Sequence, residues 1–166
     1  MLLTLPATTD TEALGSVLAE RLPALNTTTM VVHFHGEIGA GKTTCIRSFL
    51  RARGVEGTIR SPTYTLIESY SAPPLLYVHA DLYRLQSVRE TEELGFRDLP
   101  DREAVLLIEW PERGGQAVPA PDLSLLFDYA GDSRQVRATA RTPRAASWLE
   151  DLRIDTRLAS YVSNLT

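Results

Sequence analysis

MVVHFHGEIGAGKTTCIRSFLRARG, residues 30–54, decides how the rest of the chain is read. Met30 to Phe34 is short, apolar and rich in β-branched residues, the composition of a strand. Gly36 to Thr43 then fits the spacing G-x-x-x-x-G-K-[ST] in full. From Thr43 to Arg53 apolar residues recur at helical spacing, and Gly54 ends the run. Strand, glycine-rich loop and helix in that order make a grip for phosphate. The glycines let several backbone amides turn inward and leave room for oxygen atoms. Lys42 brings a point charge to the β- and γ-phosphates, the helix aims its positive end at the same group, and the Thr43 hydroxyl suits Mg²⁺. The ligand this predicts is a nucleoside triphosphate, ATP with Mg²⁺, held by Gly36, Glu37, Ile38, Gly39, Ala40, Gly41, Lys42 and Thr43. No Asn-Lys-x-Asp segment offers guanine recognition.

Strands and helices alternate on either side of this unit. Asp10 to Leu22 has helical spacing, with Asp10 as a cap and Pro23 closing the stretch. Strands are predicted at Tyr64 to Tyr70, Leu75 to Ala80 and Ala104 to Ile108, the last so continuously apolar that both its faces should be covered. Val88 to Leu94 reads as a short helix. Leu123 to Tyr129 and Gln135 to Thr139 flank the turn-rich Ala130-Gly131-Asp132-Ser133 and read as a hairpin that adds antiparallel strands at an edge. Ala145 to Leu152 makes a last helix, and the remaining tail is expected to be mobile. The expectation is a single α/β domain with a mainly parallel sheet between layers of helix and a C-terminal antiparallel hairpin. Residues 1–143 carry the nucleotide-binding part, and residues 144–166 are a helix and tail of the same domain.

Ligands of such a sheet collect at the carboxyl ends of its strands, so an acid that terminates an apolar strand is aimed at the site. Asp81 ends one such strand and Glu109 another. Each can hold the magnesium or orient an attacking water, because a hard cation and a water nucleophile both need oxygen acceptors. Lys42, Asp81 and Glu109 are the catalytic candidates; Thr43, Glu109 and Asp81 are the metal candidates. In Ser61-Pro62-Thr63-Tyr64-Thr65-Leu66, Pro62 fixes a turn bearing several hydroxyls. Thr63 is the candidate sensor of the γ-phosphate, although such hydroxyls also satisfy local backbone groups. His33 and His35 share a strand face without cysteines or carboxylates at ligand spacing, so they are read as structural. Trp110 either shapes the rim of the site or packs, and Arg134 and Arg137 either reach a nucleotide or stay solvated; packing and solvation are the usual outcomes for such side chains.

The 166 residues, 43% hydrophobic and 23% charged, leave room for one sizeable core. With 17 basic against 21 acidic residues the net charge is −4, so no general field holds a polyanion, and nucleic acid would be met locally or through a partner. One cysteine, Cys45, excludes a disulfide framework and a cysteine-rich zinc site. With no leader-like start and no membrane-length apolar run, a cytoplasmic location is expected.

Five segments together have a family likeness: Gly-Glu-Ile-Gly-Ala-Gly-Lys-Thr-Thr at 36–44, Ser-Pro-Thr-Tyr-Thr-Leu at 61–66, His79-Ala80-Asp81-Leu82-Tyr83-Arg84-Leu85, Glu92-Glu93-Leu94-Gly95-Phe96, and Ile108-Glu109-Trp110-Pro111-Glu112. Over roughly Leu5 to Ala140 the chain resembles the TsaE (YjeE) family, the ATPases of bacterial tRNA threonylcarbamoyladenosine biosynthesis. The resemblance implies a P-loop NTPase-type three-layer sandwich and weak, partner-dependent ATP hydrolysis. It also implies association with TsaD and TsaB, which transfer the threonylcarbamoyl group to adenosine 37 of tRNAs reading codons that begin with A. It puts Mg²⁺ on Thr43 and Glu109, the nucleotide on the loop through Thr44, and an important acid at Asp81. The segment before the first helix and the C-terminal hairpin lie near the nucleotide in that family, which makes Thr8 and Arg134 contact candidates. The chain departs from the family pattern at Thr8, where an acid is frequent, and in its extension beyond Pro143. Two other functions fit the phosphate loop alone: a small-molecule phosphotransferase, which needs an acceptor pocket and a lid, and a nucleotide-toggled binding module without obligatory hydrolysis.

Overall fold

The strand that delivers the loop lies at the middle of the sheet. The computed structural model describes residues 1–26, 28–96 and 103–163. Strands β1 (Leu2–Leu5), β2 (Thr29–Gly36), β3 (Ile67–Ala72), β4 (Leu75–Asp81), β5 (Ala104–Glu109), β6 (Leu123–Ala130) and β7 (Ser133–Ala140) form one sheet in the order β1-β7-β6-β2-β5-β4-β3. The core β6-β2-β5-β4 is parallel, while the pairs β1 with β7, β6 with β7 and β3 with β4 are antiparallel. Among the described residues the helices are α1 (Thr8–Glu20), α2 (Lys42–Ala52), α3 (Val88–Glu93), α4 (Pro111–Gly114) and α5 (Pro143–Arg153), with a 3-10 turn at Gly115–Ala117.

Alternation along the strands sorts the core into two layers. Val32, Phe34, Val105 and Leu107 join Leu14, Ile46, Phe49 and Trp148 on the face covered by α1, α2 and α5. Val31, Leu106 and Ile108 join Leu82, Leu85, Phe96 and Val118 on the other. Every residue of β5 is buried, as its unbroken apolar run demands. The fold is therefore the expected α/β sandwich. Helices α1 and α2 meet very closely at Gly15, where a Cβ would lie 2.2 Å from the Cys45 carbonyl oxygen. Among the described residues no helix is long and apolar enough to cross a membrane.

Four expectations need correction. The hairpin is not an addition at an edge: β6 pairs in parallel with β2, and β7 is covered by β1, a strand the reading missed. Four residues carry too little periodicity to announce β1. The strand expected from Tyr64 begins at Ile67, because Leu66 takes φ 64° and its N–H closes onto the Pro62 carbonyl at 2.6 Å. Helix α1 begins at Thr8, and Asp10 acts from inside its first turn by accepting the Ala7 N–H at 2.7 Å. The tail is docked as far as Ser163: Leu158 is fully buried, Thr4 N–H donates to Tyr161 O, and Ser163 N–H donates to Leu2 O, both at 2.9 Å. Its anchor is Asp155, buried beneath Arg21 and Arg157, whose guanidinium groups hold its carboxyl far below the usual range.

Candidate functional site

Three chain segments converge at the carboxyl ends of β2, β4 and β5. Gly36 leaves β2 at φ 121°, and a Cβ there would lie 2.1 Å from the Phe127 carbonyl oxygen, so both conformation and space require glycine. Helix α2 then starts at Lys42 and points its unpaired amides back toward the loop. Asp81 and Glu109 are register partners at the ends of adjacent strands. Together these elements wall a cleft of about 380 Å³ whose lining includes Gly41, Lys42, Thr43, Thr63, Asp81 and Glu109.

Lys42 is buried, and its Nζ donates to Gly36 O at 2.6 Å and Glu37 O at 2.8 Å. Burial lowers its pKa, against the opposing pull of Glu109 and Asp81. Nζ also lies 4.3 Å from the centre of the Trp110 ring. Of the two roles open to it, that ring takes the rim: it is a wall of the cleft and shields the ammonium. Thr43 Oγ1 donates to Glu109 Oε1 and Oε2 at 2.8 and 3.0 Å. Asp81 accepts at Oδ2 from Ser61 Oγ and from Thr63 Oγ1, the latter at 2.8 Å, and at Oδ1 from Tyr83 N–H at 3.0 Å. The turn that delays β3 thus carries the Ser61 and Thr63 hydroxyls to the acid on β4.

Glu109 is 2% and Asp81 4% exposed, and among the described residues neither forms an ion pair with lysine or arginine. Two buried carboxylates on one rim, next to a hydroxyl, are a set of hard oxygen donors suited to a cation such as Mg²⁺. Among the described residues no group of three histidines, cysteines or acids could hold a metal alone. A cation here would draw its remaining ligands from phosphate and water.

A second recess, of about 230 Å³, continues from the first across Gly39, Gly41 and Thr44 and is lined by Thr8, Thr11, Asp132 and Arg134. The two candidates taken from family likeness, Thr8 and Arg134, are brought together there. The Arg134 guanidinium lies 4.4 Å from the centre of the Tyr129 ring, whose hydroxyl donates to Ile38 O at 2.8 Å. His33 and His35 stay apart from both recesses: His33 Nε2 meets Pro119 O at 2.9 Å, and His35 Nδ1 meets Glu112 Oε2 at 3.1 Å. Burial pushes the His33 pKa down to about 4.

Ser61, His79, Tyr83 and Tyr129 also contribute, although the motifs do not single them out. For His79 a signal existed: it stands two residues before Asp81 in a strand and so shares its face.

The family model for threonylcarbamoyl adenosine biosynthesis protein TsaE matches residues 5–138. The chain belongs to the TsaE family. It is 40% identical over 129 residues to the tRNA threonylcarbamoyladenosine biosynthesis protein TsaE of Haemophilus influenzae, covering 77% of this chain and 82% of that one. With the Bacillus subtilis protein of the same name it shares 32% identity over 123 residues, covering 74% and 77%. The crystal structure of Bacillus subtilis YdiB superposes with a TM-score of 0.71 at 23% identity over 92% of this chain and 93% of that one, a likeness of fold. The TsaE model ends before α5, so the last helix and docked tail lie outside the matched region.

Proposed function

We propose that this TsaE family chain binds ATP with Mg²⁺ in the cleft and hydrolyses it slowly. It does so in support of threonylcarbamoylation of adenosine 37 in tRNAs reading codons that begin with A, in the cytoplasm, with TsaB- and TsaD-type partners. One observation carries the nucleotide reading: Lys42 and the start of α2 face the two buried acids Asp81 and Glu109 across a cleft.

The triphosphate would lie along Gly36 to Thr44, its charge met by the loop amides, the α2 terminus and Lys42. For this, Nζ must exchange its carbonyl partners Gly36 and Glu37 for phosphate oxygens, a stronger charge-assisted pairing. Thr43 and Glu109 would hold Mg²⁺, which supplies positive charge against the phosphate oxygens when bound. Asp81, fixed by Ser61, Thr63 and the Tyr83 amide, would orient the water that attacks the γ-phosphorus. The bond from phosphorus to the β–γ bridging oxygen breaks, and ADP and phosphate leave with the water's proton. The second recess, with Thr8 and Arg134, is the place for the base and sugar. The net charge of −4 favours an indirect or local relation to tRNA.

The test is ATP binding and multiple-turnover tRNA modification with TsaB and TsaD, parent against Lys42→Ala. The variant should bind ATP at least about tenfold more weakly, the loss of one charge-assisted contact, and should fail to sustain turnover. Full modification by the variant would sink the ATP-driven role. Retained turnover without hydrolysis by the parent would support the nucleotide-toggled binding module.

A further inference from the structure

Glu109 is held by more than the strand it ends. His79 is fully buried, and its Nε2 lies 2.9 Å from Glu109 Oε1. Its Nδ1 has no hydrogen-bond partner among the described residues. A carboxylate only accepts, so Nε2 is the donor to Oε1. Thr43 Oγ1 shares its one hydrogen between Glu109 Oε1 and Oε2, and His79 adds a second donor at Oε1 alone. Oε1 is thus the more fully engaged oxygen and Oε2 the one with more acceptor capacity to give. A buried imidazole needed only for packing would be served as well by an apolar side chain, without an unpartnered ring nitrogen.

We propose that His79 is a positioning residue for the cation-binding carboxylate. By donating to Oε1 it fixes the rotation of the Glu109 carboxylate, engages one oxygen and leaves Oε2 to meet the cation beside Thr43. The proposal rests on the ATP and Mg²⁺ reading above. It concerns the hydrogen bond alone, and it accounts for a histidine two residues before the cleft acid on the same strand face.

The experiment measures binding of a fluorescent ATP analogue, in EDTA and across a Mg²⁺ titration, for the parent, His79→Leu and His79→Gln. Leucine removes the donor at similar volume, and glutamine returns an N–H near the place of Nε2. His79→Leu should unfold cooperatively and bind in EDTA within about twofold of the parent, yet need roughly 10- to 100-fold more Mg²⁺ for the metal-dependent gain, the range for removing a group that orients a metal ligand. His79→Gln should recover to within a few-fold. An unchanged Mg²⁺ requirement in His79→Leu overturns the proposal, as does EDTA binding that falls in step with Mg²⁺ binding in both variants. If His79→Leu does not fold, His79→Gln is set against the shorter His79→Asn: a higher Mg²⁺ requirement for asparagine supports the proposal, and equal requirements overturn it. A parent indifferent to Mg²⁺ or unable to bind the analogue removes the underlying ATP and Mg²⁺ reading. A Mg²⁺-dependent parent with unaffected variants removes only the role of His79.

Discussion

At the scale of single residues, the two strand-ending acids are separated by what surrounds them. Glu109 is bonded to Thr43, the hydroxyl at the phosphate loop, whereas Asp81 is bonded to the Ser61 turn and the Tyr83 amide. That division favours Glu109 for the cation and Asp81 for water. Asp81→Asn keeps the size and some hydrogen bonding but loses the charge that, in the proposed mechanism, draws the water's protons. It should leave ATP affinity within about threefold while slowing single-turnover hydrolysis by roughly 10²- to 10⁴-fold, the usual range for a positioned acid or base. Parallel losses in affinity and rate would instead make Asp81 part of the binding surface. The loop, Lys42, Asp81 and Glu109 were legible in the sequence because each sits at a junction that composition marks: a glycine run, or the polar end of an apolar strand. Trp110 was not. Its place over Lys42 depends on a left-handed backbone at φ 57° just after β5, which nothing in the adjacent letters announces.

At the scale of elements, α1 and α2 meet where Gly15 lets a helix pass the Cys45 carbonyl. Two effects oppose each other on substitution. Alanine in a helix interior is worth about 1 kcal/mol over glycine. A methyl placed 2.2 Å from a backbone oxygen forces the helices apart, and such overpacking costs about 1–3 kcal/mol. The second effect should win, so Gly15→Ala should lower the urea midpoint despite better helix propensity, and a raised midpoint would show that the interface yields easily. The docked tail is the other element whose importance the sequence concealed. Its attachment uses the buried Asp155 beneath Arg157 and Arg21, backbone hydrogen bonds to β1, the Tyr161 hydroxyl on Asp10 and the buried Leu158, none of which follows a helix or strand period. Leu158→Ala should cost about 2–4 kcal/mol, as for other buried leucines, measured by chemical denaturation. A change under about 0.5 kcal/mol, the range of ordinary surface substitutions, would mean that the tail is dispensable. The β2–α2 unit was legible for the opposite reason: its strand, turn and helix signals are adjacent and agree.

At the scale of the whole molecule, the acid limb of stability should carry the mark of one histidine. His33 sits in the sheet away from the cleft, and burial lowers its pKa from 6.5 to about 4, with the Pro119 carbonyl opposing the shift. The fold therefore prefers the neutral ring. Above pH 6.5 the ring is neutral in both states, and its protonation takes nothing from stability. As pH falls from 6.5 toward 4 the unfolded chain takes up a proton that the folded chain refuses, so stability is lost across that window and levels off below it. The ceiling on the loss is about 3 kcal/mol, and solvent reaching the partly open ring reduces it. Asp122 is raised by burial but lowered further by Arg144, for a net downward shift, so its stability is lost only as pH falls through a value beneath 3.8. Glu112, also held below its usual 4.5, overlaps the lower end of the histidine window, and comparison with His33→Gln separates the two. His33→Gln retains an N–H able to meet Pro119 O without a ring that titrates. Urea midpoints at pH 7, 5.5 and 4.5 should decline less steeply in His33→Gln than in the parent, with the two proteins differing most in slope between pH 6.5 and 4. Identical slopes would place the acid sensitivity elsewhere. Because His33 touches neither recess, ATP affinity at pH 7.5 should not distinguish the two proteins, which separates the stability of the scaffold from the chemistry of the cleft it carries.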